Sequence, residues 1–103
     1  MGEGQTRMTH EKIQLGDNEV DGYVIPLPAC NLVFATSGNA LLACAAVDVM
    51  ALDRFGIKAA NLSGVATVED LLAGTVKAVN QTALDAGIHP GQTGRETLQQ
   101  MIS

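Results

Sequence analysis

Two places in this chain carry residue types from which chemistry could be built. The first is Gly91-Gln92-Thr93-Gly94-Arg95-Glu96, a glycine-bracketed loop running into a short apolar-striped segment that ends at Ile102. Thr93 and Glu96 have the T-x-x-E spacing of a capping box, which predicts a helix start. A helix start leaves backbone N–H groups free at the positive end of the macrodipole. With the N–H groups of Gly94 and Arg95 and the Arg95 cation, such a turn can hold a carboxylate or phosphate. Gly91, Thr93, Gly94 and Arg95 are therefore the candidate binding residues for a small anionic ligand. The same residues also suffice for an ordinary cap. The loop lacks the G-x-x-x-x-G-K-[ST] spacing, so it is not a nucleotide P-loop.

The second place is Cys44, inside the apolar run Leu41 to Val47, and it is the best candidate for a catalytic nucleophile. A reactive thiolate needs a cation, a helix N-terminus or a histidine beside it. Asp48 lies four residues on and opposes ionisation, while His10 and His89 are distant in sequence. Free cysteine otherwise packs as a small hydrophobe, and the surroundings of Cys44 favour that role. The second cysteine, Cys30, could face it across a hairpin if the loop were Thr36-Ser37-Gly38. A two-residue loop Gly38-Asn39 would put the two on opposite faces. Neither cysteine belongs to a CxxC motif, and His89 has no partner at ligand spacing, so no metal and no cofactor is expected.

The elements that must position these residues follow from hydrophobic periodicity. Residues 1–7 read as a flexible lead-in and residues 8–103 as a single α+β domain. Ile13 and Leu15 alternate with polar neighbours, Gly16-Asp17-Asn18 turns the chain, and Val20 to Leu27 returns, which is a hairpin signature. Asn31–Thr36 and Ala40–Val47 flank Ser37-Gly38-Asn39 as a second hairpin, with both strands apolar enough to be buried on two faces. Asp48 stands at an N-cap position and Gly56 closes the short helix that follows. Residues 57–65 read as a fifth strand, interrupted at Ser63-Gly64. Thr67 and Asp70 resemble a second capping box, opening a helix through Leu71 and Leu72 that Gly74 breaks. The stripe Val76, Val79, Ala83 continues as helix to Ala86, and the last helix carries Leu98, Met101 and Ile102 on one face. Asn31, at a strand start, is expected to bond backbone with its amide.

The resulting order is β-β-β-β-α-β-α-α-α: a two-layer, mostly antiparallel sheet of about five strands with helices packed on one face. A crossover through the 48–55 helix would make its two flanking strands parallel.

Composition limits what such a domain can be. At 103 residues with 47% hydrophobic but only 3% aromatic content, the core is made of Val, Leu, Ile, Met and Ala. Small side chains each bury little area, so the monomer core is slight and association is expected. A net charge of −5, with six scattered Lys and Arg, argues against nucleic acid as partner. No apolar run approaches the length of a membrane span and no secretory leader is visible, so a cytoplasmic protein with no membrane partner is expected.

From Asn31 to Ile102 the chain resembles the YunC-like family, a bacterial and archaeal domain of unknown function. The resemblance is carried by Pro28-x-x-Asn31-Leu32, Gly38 ahead of the strand with Cys44, and Asp48-Val49 after it. Gly64-Val65, Leu71-Leu72, Ala86-Gly87-Ile88 and Gly91-x-x-Gly94-Arg95-Glu96 complete the set. It implies a small α/β fold whose N-terminal strands form a tetramerisation region, here residues 8–27, and it implies no activity. One departure is Ala45 after Cys44, where relatives tend to carry glycine.

Two function classes remain: a homo-oligomeric assembly or protein-interaction domain, and a small-anion or metabolite-binding protein or enzyme with a pocket near Cys44 and the Gly91–Arg95 turn. The absent Trp and the lack of any His–Cys–Asp grouping favour the first. Whether the chain is an enzyme is left open by the sequence.

Overall fold

The structure is a computed structural model that describes residues 8–102, so the expected lead-in at 1–7 lies outside the described residues. A six-stranded sheet runs in sequence order, β1 (Thr9–Leu15), β2 (Asn18–Pro26), β3 (Asn31–Ser37), β4 (Ala40–Cys44), β5 (Lys58–Leu62) and β6 (Ala78–Val79). All neighbours are antiparallel except β4 and β5, which pair in parallel from Ala40↔Lys58 to Cys44↔Leu62. A 3₁₀ helix, Val49–Phe55, makes that crossover, and the α-helices are α1 (Val68–Ala73), α2 (Gln81–Asp85) and α3 (Gly94–Ile102).

Both hairpins turn on two residues, because Leu15 pairs with Asn18 and Ser37 with Ala40. In each, glycine takes the first turn position with positive φ, 63° at Gly16 and 59° at Gly38, while the second residue stays at negative φ. That is the requirement of a type II′ turn, whose twist matches the strands it joins. The Gly38-Asn39 loop also settles the cysteine geometry. Cys30 lies in the exposed bend before β3, Cys44 is buried at the end of β4, and both thiols are free.

Register divides the sheet into two faces. Leu15, Val20, Val33, Ala35, Leu42, Cys44, Ala60 and Leu62 join Val68, Leu71, Leu98 and Met101 in one cluster. The helices α1 and α3 contribute to this core, packing against each other and over β4, with α1 also reaching β2 and β3. Ala43, Ala59 and Val49 are buried outside this cluster, where the 3₁₀ helix packs on β5.

Three expectations are corrected. The helices do not all pack on one face, since the 3₁₀ helix covers β5 on the side where Ala43 and Ala59 are buried away from the main cluster. The sheet has six strands rather than about five, because part of the segment read as helix from Val76 to Ala86 is extended. Val76 and Val79 sit three apart, a spacing that fits a helix stripe. Both are buried, but Lys77 donates its N–H to the Asn61 carbonyl and Asn80 donates to Ala59, so this stretch is tied to β5. Helix begins only at Gln81. The strand expected over 40–47 ends at Cys44, where the Val47 N–H turns back to the Cys44 carbonyl at 3.1 Å.

Candidate functional site

The Gly91–Glu96 loop forms the capping box its sequence spells. The Thr93 hydroxyl accepts the Glu96 N–H at 3.1 Å, and a Glu96 carboxylate oxygen accepts the Thr93 N–H at 3.1 Å. The rest of the loop is laid against the chain entering β6. Gly91 donates to the Val76 carbonyl, Val76 donates to Gln92, and Gly94 donates to Gly74 at 2.9 Å. The N–H groups of Gly91, Thr93 and Gly94 are thus already engaged with protein oxygens. Gly94 is buried, and a Cβ there would collide with the Leu71 carbonyl oxygen and stand 3.0 Å from a Leu42 methyl. Glycine is required at this point so that α3 can start against the end of α1.

What the loop leaves for a ligand is Arg95. It is exposed, and among the described residues no ion pair involves it. Its side chain lines a shallow depression of about 140 Å³ with Glu69, Leu72 and Ala73. A larger, open depression of about 430 Å³ lies between the first hairpin turn and α3, lined by Asp17, Asn18, Gln92, Glu96 and Gln99 among others. Its polar side chains are amides and carboxylates with no Lys, Arg or His among them, a poor match to an anion.

Cys44 lines neither depression. It is 5% exposed, and its Sγ lies 3.5 Å from the Val33 N–H, which donates to it, and 4.0 Å from the Asn31 carbonyl. Both neighbours belong to the start of β3, and the sulfur belongs to the apolar cluster. The Asp48 carboxylate caps the 3₁₀ helix by accepting from Met50 and Ala51. Asn31 bonds backbone as expected, donating its amide to the Ala66 carbonyl at 3.0 Å. Burial has a direct consequence for labelling. Iodoacetamide at neutral pH is expected to modify Cys30 in the native protein and to reach Cys44 only after unfolding, because alkylation needs an accessible thiolate. Rapid native modification at Cys44, read by peptide mass mapping, would contradict this placement.

Three residues that the sequence did not single out do much of the local organisation. Asn80 is fully buried; its Oδ1 accepts from Ala59 and Ala83, and its Nδ2 donates to the Val49 and Ile57 carbonyls. One side chain therefore ties β5, the 3₁₀ helix and α2 together. Asp53, on the 3₁₀ helix, accepts from the Thr82 N–H at 2.8 Å, the Thr82 hydroxyl at 2.9 Å and the Gln81 N–H at 3.3 Å. The Thr82 N–H, more than any other group, holds the Asp53 carboxyl below its ordinary value of 3.8, with the Thr82 hydroxyl and the Gln81 N–H adding to it. A depressed folded pKa adds stability that is fully present above the unfolded value and fades as pH falls through the folded one. Asp53→Asn is accordingly expected to flatten the acid limb of stability, read as the urea midpoint between about pH 6 and about pH 2. An unchanged slope would show that this carboxylate is not coupled to folding.

The third is Tyr23, at the centre of a cluster on the outer face of the first hairpin. Its ring stacks on His10 at 4.6 Å between centroids and on Phe34 at 4.9 Å. Beside it, Asp21 lies 2.9 Å from His10 Nε2 and 3.0 Å from Lys12 Nζ. His10 first, then Lys12, hold the Asp21 carboxyl below the usual range, and Asp21 in turn raises Lys12. The alternation of Ile13 and Leu15 with polar neighbours in β1 was the signal available for this face, since Tyr23-Val24-Ile25 in β2 does not alternate. It identifies outward residues without showing that they stack.

Among the described residues there is no group of three or more His, Cys, Asp or Glu placed to hold a metal ion. No helix among them is long and apolar enough to cross a membrane. Fold and site together define a small α+β domain whose helix starts are capped by its own side chains. The chain belongs to the family defined as a domain of unknown function, DUF1805, which it matches over residues 43–101. It is similar to the uncharacterized protein YunC of Bacillus subtilis (strain 168), at 33% identity over 82 residues, covering 76% of this chain and 81% of that protein. It shares its fold with the crystal structure of a protein of unknown function from Thermoplasma acidophilum. The two superpose with a TM-score of 0.86 over 92% of this chain and 93% of the other, at 23% identity.

Proposed function

We propose that this protein is a cytoplasmic homo-oligomeric assembly or protein-interaction domain, with residues 8–27 and the adjoining face of β3 forming the interface and a tetramer as the assembly. The observation that carries this reading is the outer face of the first three strands. Tyr23, Ile25 and Phe34 stand there half-buried, while Leu15, Val20, Val33 and Ala35 of the same strands face the core. Stacked Tyr and Phe on a rigid sheet supply large contact area at low entropic cost, the composition found in interface cores. The hairpin is held rigid by Leu15 and Val20, each 1% exposed. A slight monomer core gives association something to add.

The alternative reading, a small-anion-binding protein or enzyme, is favoured by one observation, the exposed Arg95 with no ion pair among the described residues. The engaged N–H groups of Gly91, Thr93 and Gly94 and the absence of Cys44 from the lining of either depression weigh against it. Native mass spectrometry of freshly purified protein separates the two. A tetramer of bare chains supports the assembly reading. A monomer retaining a small anion, released on Arg95→Ala, supports the alternative and overturns the first.

A further inference from the structure

We draw no further inference here: the strongest candidate, the apolar surface patch that Met50 and Phe55 expose on the 3₁₀ helix beside β5, carries nothing because no feature of the structure shows what covers it.

Discussion

Asn80→Ala is expected to cost the fold about 4 kcal/mol, the largest effect of any polar substitution in the chain, since each buried group left unpaired costs about 1–3 kcal/mol. The change would strip partners from the Ala59 and Ala83 N–H groups and from the Val49 and Ile57 carbonyls at once. Water entering the vacated volume would recover part of that loss, which keeps the figure below the simple sum. Asn80→Asp tests the geometry further. It preserves the acceptor towards Ala59 and Ala83 but sets an oxygen against the two carbonyls that the amide nitrogen now serves, so it is expected to be no better than alanine. Equilibrium urea unfolding measures both. A loss below about 1 kcal/mol for Asn80→Ala would mean that these contacts are not made, since surface changes fall in that range.

Gly94→Ala is expected to destabilise by about 3 kcal/mol or to prevent folding, the upper range for forcing atoms into a packed site. The added methyl would meet the Leu71 carbonyl, which belongs to backbone and cannot rotate away, and the Leu42 side chain behind it. Relief requires α1 and α3 to separate, opening the layer that covers β4. Gly91→Ala is the informative comparison, because nothing lies within 4 Å of a Cβ at that position and only its positive φ, 109°, is strained. Thermal melts that rank Gly91→Ala as the more damaging of the two would contradict the backbone approach at Gly94.

The contrast between these two glycines shows where sequence reasoning stops. The Thr93–Glu96 box, the Thr67 cap and the Asp48 cap were legible because capping is a local contract between residues two or three apart. The Asp48 cap opens a 3₁₀ helix, a difference of winding that capping residues do not report. The places of the hairpin turns were legible for the same local reason, while the length of the second loop was left open between two and three residues until strand register fixed it at two. Gly94 looked like a place where a ligand could approach. In the fold it is a place where α1 approaches, and the proximity of Leu71 depends on contacts 23 residues apart. Asn80 was hidden by the stripe Val76-Val79-Ala83, whose spacing reads as continuous helix and in fact spans an extended segment, a cap and a helix. An Asn followed by Gln81-Thr82-Ala83-Leu84 is a helix start in its own right, and that was the missed signal. Cys44 was readable as a core residue from its neighbours alone.

The outer-face interface is tested most directly by sedimentation velocity on the native protein and on the double variant Tyr23→Lys/Phe34→Lys. Deleting the hairpin would be a poor test, since Leu15 and Val20 would leave the core with it. The two aromatic side chains, by contrast, are half-buried outside the apolar cluster and can be replaced without opening it. The native chain is expected to sediment as a tetramer, and the variant as a smaller species with an unchanged far-ultraviolet circular dichroism spectrum. A native protein that sediments as a monomer, or a folded variant that keeps the native assembly, would contradict the account.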